Sequence, residues 1–396
     1  MAGHLRKRGD KWYYSFEAAS VDGRRKRIER VGGKTKKEAE AALIKAISEY
    51  EDGDQILKTN MSVSDYMDYW FKSYVTINCK YNTHRAYRGV IENHIKPSLG
   101  SLRLNSLTPG KLQEFVNQKF ISGMAKNYLV SITTVLNNAL KYSVHPLNFL
   151  KNNPMQYVQL PKYKNSTSNS NRKIISSEEF KAIIKRFPEG SSFFIPIMIG
   201  YLTGCRIGEV MGLTWDDIDL NKNIININKI LYKKDKFWYF GSPKTKSSTR
   251  IIKIGVTLRN ALRRHKKYIY LKSIEYGKHY IKQYKNEDRL ITSSVNLKLP
   301  PLNMVCVKEN GTALTPDSFK YASRVINYEL GISFNFHSLR HTHATTLIEN
   351  GANVKDVQHR LGHNNIQTTL DTYTHATEKM AEQTVEILER ALLSTN

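Results

Sequence analysis

The sequence predicts a multidomain, mainly α-helical protein. Its 396 residues exceed the length at which a single hydrophobic core stops growing. Apolar residues recur at helical spacing in most of the chain, whereas β-branched and aromatic runs are confined to two regions. We therefore predict a small β-sheet-plus-helix module at residues 1–58, an all-α bundle at 59–163, a linker at 164–173, and a mixed, mostly α unit with a small three-stranded sheet at 174–396.

The N-terminal module is predicted to be a hairpin followed by a helix. Residues 11–31 alternate aromatic and polar side chains in "KWYYSFEAA", turn at "VDG" and continue as "RRKRIERV". Thr35 and Glu38 match a capping box, which begins a helix that ends near Gly53. The basic residues expected to face a partner are Arg24, Arg25, Lys26 and Arg27.

Four segments with helical periodicity predict the bundle: "SVSDYMDYWFKSYV", "NTHRAYRGVIENHI", "TPGKLQEFVNQKF" and "NYLVSITTVLNNALKYSV". Pro109 stands just inside the start of the third helix. The bundle ends in "NNPMQYVQLPKYKNSTSNSNRK", whose Asn, Ser and Pro content predicts a polar linker that does not pack into a core.

The last unit begins with a second capping box, Ser176 with Glu179. It is predicted to be mostly helical with one β insert of three runs, "NIININKILY", "KFWYFGSPK" and "STRIIKIG". This arrangement brings Lys244 to the turn between the second and third strands.

The charge of the chain indicates a polyanionic partner. Lysine and arginine number 61 against 35 acidic residues, which gives a formal net charge of +26. Nucleic acid is the leading candidate, and solvated basic faces or a solubilising N-terminal extension are the alternatives. The three cysteines form no CxxC pair, so neither a disulfide framework nor a cysteine zinc site is supported. The longest apolar stretch, residues 192–204, is too short to cross a bilayer, and we expect a cytoplasmic protein without a membrane partner.

Arg206 is the first residue that indicates chemistry. In "TGCRIGEVMGLTWDDIDL" it follows a glycine within an apolar segment predicted to be one helix, and a buried arginine requires an anion. Glu209 lies one turn further on, so an internal ion pair is the alternative to a bound ligand. Cys205 is assigned to packing. Lys244, with Lys246 and Arg250, falls in a basic turn that by itself predicts only solvation.

The stretch "HSLRHTH", residues 337–343, resembles a metal site at first sight. His337 and Arg340 are spaced i, i+3 and project from the same helix face, which His341 shares and His343 does not. No Cys, Asp or Glu stands nearby to complete a tetrahedral set, so zinc is disfavoured. Taken singly, His341 and His343 are interpreted as satisfied core or surface histidines.

A last segment, "LGHNNIQTTLDTYTH", contains His363 and Tyr373. The order TGxRxGE, hairpin lysine, HxLRHT, LGH and a tyrosine in "TLDTYTH" resembles the tyrosine recombinases of the phage integrase type. Ser338 stands where that family often has Asp. The bundle resembles the family's core-site-binding domain, and the basic N-terminal module resembles the arm-site-binding domain of integrases from phages and conjugative transposons.

The resemblance implies a role for each matching residue. Arg206 and Arg340 would clamp the scissile phosphate, and His337 and His363 would exchange protons around it. Tyr373 would be the nucleophile, and Lys244 would protonate the departing 5′-oxygen. Glu209 would support Arg206, and His341 and His343 would support the cluster. The implied chemistry forms a 3′-phosphotyrosyl link without metal, ATP or another cofactor.

The resemblance also implies partners: double-stranded core and arm attachment sites, a homotetramer on DNA, and accessory proteins such as an excisionase and a host DNA-bending protein. Residues Ala381, Val385, Leu388 and Leu392 have helical spacing and would dock on a neighbouring subunit or within their own. Three alternatives stay open: a DNA-binding protein without chemistry, a metal-dependent nuclease, and a chromosome-dimer resolvase. They are disfavoured by the complete motif set, by the lack of clustered carboxylates and by the N-terminal module, respectively.

Overall fold

The computed structural model describes residues 3–21, 24–51, 61–163, 174–243, 245–293, 299, 301–364 and 385. The chain divides into two compact units, residues 1–166 and 167–396. Helices predominate in both and the sheets are small and antiparallel, which confirms the predicted fold class. Within the described residues, no helix is both long enough and apolar enough to cross a membrane.

The first unit begins with a sheet of order β1-β2-β3 that packs against a helix. Its elements are β1 Gly3–Arg8, β2 Lys11–Val21, β3 Arg24–Gly33 and α1 Lys36–Glu51. Strand β1 was not predicted, because "GHLRKR" contains a single apolar residue, Leu5. Tyr14 and Phe16 are buried against Leu43 of α1.

The capping box at the start of α1 is confirmed. The Glu38 N–H donates to Thr35 Oγ1 at 3.2 Å, and the Thr35 N–H donates to Glu38 Oε2 at 3.2 Å. The predicted turn residues Asp22 and Gly23 and the predicted helix end at Gly53 lie outside the described residues.

The rest of the first unit is the predicted helical bundle, in which π-helical turns continue two of the helices. Its helices are α2 Val63–Trp70, α3 Thr76–Asn78, α4 Tyr81–Val90, α5 Lys96–Leu99, α6 Pro109–Ile121 and α7 Lys126–Val144. Pro109 occupies the first turn of α6, after the N-cap Thr108, as predicted. Trp70, Leu112 and Leu136 have no exposed surface and lie at the centre of the core.

The prediction that the segment after α7 cannot pack into a core is wrong for its first half. Met155 is buried in the bundle core, and Tyr163 donates from its hydroxyl to Met124 O at 2.8 Å. The apolar side chains among the Asn and Pro residues are therefore part of the bundle core or pack against it. Residues 164–173 lie outside the described part of the chain.

The second unit is mostly helical with short strands. Its helices are α8 Ser177–Arg186, α9 Phe194–Thr203, α10 Ile207–Met211, α11 Val256–Tyr276, α12 Phe319–Tyr328, α13 Phe336–Glu349 and α14 Val354–Leu361. Its strands are β4 Ile218–Asp219, β5 Ile224–Ile227, β6 Ile230–Lys234, β7 Phe237–Gly241, β8 Arg250–Lys253, β9 Gln283–Lys285, β10 Ile291–Thr292 and β11 Pro301–Leu302. The Ser176–Glu179 capping box at α8 is confirmed.

The strands of this unit differ from the predicted single three-stranded insert in three respects: β4 lies outside the three predicted runs, a further sheet of order β10-β9-β11 is present, and the first run is divided. The first predicted run breaks into β5 and β6, so that β4-β5-β8 form one three-stranded sheet and β6-β7 form a separate hairpin. The break falls at Asn228 and Lys229, whose side chains both bind the buried carboxylate of Asp217. These polar contacts turn the chain out of the first sheet.

Candidate active site

The apolar segment around Arg206 predicts a single helix, and this prediction is wrong. Arg206 lies at a break between two helices, α9 and α10. Helix α9 ends at Thr203, and Gly204 takes a left-handed conformation with φ +68°. Arg206 is the N-cap of α10, and Glu209 is three residues further on. The Arg206 backbone N–H donates to Glu209 Oε2 at 2.9 Å, and its Nη1 donates to Oε1 at 2.9 Å. The predicted ion pair is therefore present, while 37% of the Arg206 side chain remains exposed.

Glu209 has a second cationic partner that the sequence did not predict. Arg250 Nη2 lies 3.0 Å from Glu209 Oε2, and both side chains are almost completely buried. Burial by itself raises the pKa of Glu209, but the guanidiniums of Arg250 and Arg206 outweigh it and hold that pKa below its ordinary value. Arg250 is thus a core residue, and the expectation of a solvated turn is wrong for it.

Arg340 projects from α13 into the protein interior and is fully buried. Its Nη1 donates to Gly204 O and its Nη2 donates to Leu361 O, each at 2.8 Å. These two carbonyls fix the plane of the guanidinium. The Arg340 side chain therefore joins the α9–α10 break to the end of α14.

His337 lies on the first turn of α13 and is exposed. Its ring centroid is 4.6 Å from that of His341 in an edge-to-face arrangement, so the two rings share one helix face as predicted. Asn335 caps the helix by accepting a hydrogen bond from the Ser338 N–H at 3.0 Å. Ser338, which departs from the family pattern, is thus occupied with the helix start.

His363 follows a left-handed glycine, Gly362, at the end of α14. Arg206 Nη2 lies 3.5 Å from Gly362 O, and Arg340 binds the preceding carbonyl. Burial, and then the charges of Arg340 and Arg206, lower the pKa of His363 to about 3. The structure therefore brings Arg206, Arg340 and His363 together around one turn, residues 361–363.

His343 contacts Arg360, the residue immediately before this turn, and its support of the cluster stays a prediction. Its Nδ1 donates to Tyr201 O at 2.9 Å, and its Nε2 accepts a hydrogen bond from Arg360 Nε at 2.9 Å. Burial, and then the charge of Arg360, lower the pKa of His343 to about 4. The neutral, partly buried ring connects α9, α13 and α14, in agreement with the interpretation of His343 as a histidine whose hydrogen bonds are satisfied.

Lys244 and Tyr373 lie outside the described residues, as do Ala381, Leu388 and Leu392. The connection after Lys244 reaches the 361–363 turn, since Ser247 Oγ contacts Asn364 Oδ1. Among the described residues, no group of three or more His, Cys, Asp or Glu side chains could hold a metal ion.

In the N-terminal module, only Arg27 of the four predicted basic residues has a described side chain. Its Nη2 and Nε donate to Ser15 Oγ at 2.8 and 3.1 Å. The other three, Arg24, Arg25 and Lys26, lie on β3.

Sequence reasoning missed Arg250 and Arg360 as parts of the site. For Arg250 a signal existed: it stands two and four residues before Ile252 and Ile254, and all three are buried on one side of the strand. A basic residue in phase with buried isoleucines predicts a buried cation with a partner. Arg360 carries no comparable signal, because its contacts are mostly with backbone carbonyls distant in sequence.

Three segments match known families. Residues 173–380 match the phage integrase family, residues 62–120 match the phage integrase N-terminal SAM-like domain, and residues 4–50 match an arm DNA-binding domain. The chain is 27% identical over 369 residues to a tyrosine recombinase XerC-like protein of Caldanaerobacter subterraneus subsp. tengcongensis, covering 90% of each chain. It is also 27% identical over 372 residues to the ICEBs1 integrase of Bacillus subtilis, covering 91% of each.

Solved structures share the fold. The Tn1549 transposon integrase in complex with a circular intermediate DNA matches with a TM-score of 0.64 at 21% identity, over 83% of this chain and 99% of that one. A lambda integrase tetramer bound to a Holliday junction matches with a TM-score of 0.55 at 17% identity, over 94% and 96%. Fold and sequence matches together define a site-specific DNA recombinase of the tyrosine type. The chain belongs to the phage integrase family, which confirms the resemblance inferred from its motifs.

Proposed function

We propose that this recombinase integrates and excises a phage genome or mobile element by cutting one DNA strand at a time through a covalent tyrosine intermediate. The observation that carries the proposal is the convergence of Arg206, Arg340 and His363 on the turn at 361–363. Two guanidiniums and one imidazole suit the binding of a single phosphodiester, and Arg206 is the one of the two arginines that reaches the surface.

In the proposed reaction, Tyr373 Oη attacks the phosphorus and forms a 3′-phosphotyrosyl bond, while the bond to the 5′-oxygen breaks. Lys244 gives a proton to that oxygen. His337 and His363 exchange protons around the phosphate, and His363 accepts the tyrosine proton. His363 is neutral in the free protein, and the bound phosphate anion raises its pKa from about 3 towards the range in which an imidazole is an effective base. One phosphoester replaces another, so neither ATP nor a redox partner is required.

The two arginines enter the reaction differently. Arg206 is 37% exposed and meets a non-bridging oxygen directly, while Glu209 holds its orientation. Arg340 is buried, so its contact with the phosphate requires that DNA binding opens the site around it. Charge-assisted hydrogen bonds of about 1.5–3 kcal/mol each stabilise the charge that a divalent metal stabilises in many nucleases.

We further propose that residues 174–396 carry the chemistry, that 59–163 bind the core site, that 1–58 bind arm sites and that 164–173 link them. The family segments matched along the chain support this division. The basic residues of β3, Arg24, Arg25, Lys26 and Arg27, are proposed DNA contacts. The protein is proposed to act as a homotetramer on DNA in the cytoplasm, assisted by an excisionase and a DNA-bending protein. The tetramer of lambda integrase on a Holliday junction supports the proposed number of subunits.

The test is Tyr373→Phe on a nicked suicide substrate that carries the core site. Removing the phenolic oxygen removes the nucleophile and leaves the DNA-binding surface in place, so covalent adducts should disappear while binding stays at the wild-type level. An adduct that survives in this variant would contradict the assignment.

A further inference from the structure

Arg250 contacts Glu209, which orients the proposed catalytic group Arg206. It also contacts the chain segments next to two other proposed catalytic groups, His363 and Lys244. It begins β8, and its side chain is completely buried. Its Nη2 and Nη1 donate to the two carboxylate oxygens of Glu209 at 3.0 and 3.3 Å. Because the same carboxylate binds Arg206 from the other side, Arg250 fixes the group on which Arg206 depends.

A second contact reaches the turn that carries His363. Arg250 Nε donates to Arg360 O at 2.6 Å, immediately before residues 361–363. At Gly362, which has φ +68°, a Cβ atom would lie only 3.1 Å from Arg250 Nη1. The backbone of the turn therefore rests on the guanidinium itself.

A third contact reaches the connection that follows Lys244. Arg250 Nη1 donates to Ser248 O at 2.9 Å, at the end of the short helical turn Lys246–Ser248. One planar cation thus binds a carboxylate and two carbonyls that belong to three different segments.

We propose that Arg250 is a positioning residue for DNA cleavage. It does not touch the DNA, but it sets the placement of Arg206, of His363 and of the connection after Lys244 relative to one another. This inference rests on the proposed function of those three groups. A lysine cannot replace Arg250, because an ammonium is a single point charge and cannot serve several acceptors in a fixed plane. A displacement of about 1 Å in a catalytic group lowers a rate by roughly 10²-fold.

The experiment compares Arg250→Lys with the wild type on the nicked core-site suicide duplex, with the duplex in excess over full-length protein, so that each active molecule forms one adduct and the yield counts the active molecules. We expect the rate constant of adduct formation to fall by about 10²-fold, with the final adduct yield and core-site binding unchanged. A purely structural role gives the opposite pattern: the yield falls with the folded fraction, and the rate constant of the folded molecules stays at the wild-type value. That pattern would overturn the inference.

Lys229→Met is the matched control, since it breaks another mostly buried ion pair of the same unit, with Asp217. It should leave the rate constant unchanged.

If Arg250→Lys does not fold, Arg250→Met combined with Glu209→Gln removes both buried charges together, and the same loss of rate constant is expected. A wild-type rate constant in that double variant would also overturn the inference. Tyr373→Phe is measured alongside, because an adduct in that variant contradicts the proposed function and not the role of Arg250.

Discussion

Acid is expected to destabilise the second unit through His343. In the folded protein the ring is neutral, because Nδ1 donates to Tyr201 O and Nε2 accepts a hydrogen bond from Arg360. Protonation would place a hydrogen on Nε2 against the guanidinium of Arg360. Replacing His343 by Gln removes the titrating ring at nearly constant length.

The magnitude follows from the pKa of His343, which is about 4 in the folded protein against an ordinary 6.5. Between these values the unfolded chain binds more protons, so the stability contributed by the neutral ring is complete above pH 6.5 and is lost as the pH falls towards 4. At 1.36 kcal/mol per pKa unit, the loss is about 2 kcal/mol at pH 5 and about 3 kcal/mol at pH 4.

The assay is urea unfolding of the full chain at pH 7 and at pH 5. The unfolding of the second unit is monitored through the hydrogen-exchange protection of peptides from α13. His343→Gln should lower stability at pH 7 by about 1–3 kcal/mol, because the flexible carboxamide does not hold the bond to Tyr201 O and the bond from Arg360 together in the geometry of the rigid ring. Its further loss between pH 7 and pH 5 should be about 2 kcal/mol smaller than that of the wild type. His265 and His363, whose pKa values are also lowered by burial, account for residual acid sensitivity.

Val357→Ala is the control, since it removes buried apolar atoms that pack near α13 and adds no titrating group. It should lower stability by about 0.5–3 kcal/mol equally at both pH values. If His343→Gln keeps the full pH dependence of the wild type, then protonation of His343 does not destabilise the fold and the reasoning fails.

Three further predictions concern the reaction and the DNA sites. Lys244→Ala should cleave normal DNA very slowly and recover on a substrate with a bridging 5′-sulfur, since a thiolate leaves without a proton. Arg340→Ala should not recover on that substrate. If Lys244→Ala is equally slow on both substrates, another residue is the acid. Cleavage should be complete in excess chelator, and a strict requirement for added Mg²⁺ or Zn²⁺ would favour a nuclease mechanism. Deleting residues 1–59 should spare core-site cleavage and weaken arm-site binding, and each lost phosphate contact should reduce the salt dependence of that binding; equal loss at both sites would refute the division.

The helices of the chain were predictable because their signals are local. Pro109 in the first turn of α6 and the capping boxes at Thr35 and Ser176 depend on residues three or four apart, and the structure contains all of them. Strand β1 was not predictable in this way. Its pairing partner supplies the aromatic side chains, and its own residues are mostly basic.

The proposed catalytic residues of the site were predictable from the sequence, but the side chains that hold them in place were less so. Motif order identified Arg206, Arg340 and His363, which the structure brings together. The orientation of His343 and the burial of Arg250 depend on carbonyl and carboxylate groups more than 40 residues away in sequence. The phase of Arg250 with buried isoleucines predicts its burial, but no local pattern names its partner, and no local signal predicts the contacts of His343.

The break between β5 and β6 separates the register of the β6-β7 hairpin from that of the β4-β5-β8 sheet. Because the hairpin shares no hydrogen-bond ladder with the β4-β5-β8 sheet among the described residues, a transplanted hairpin need not match the register of that sheet. The hairpin is held by other contacts. Cβ atoms at Gly208 of α10 and at its C-cap Gly212 would lie 3.1 and 2.9 Å from the backbone of Leu231, and the Phe240 N–H donates to Arg289 O at 2.9 Å. A chimaera that carries another hairpin should therefore keep these two glycines and the backbone bond to Arg289, while the register of the sheet places no demand on it.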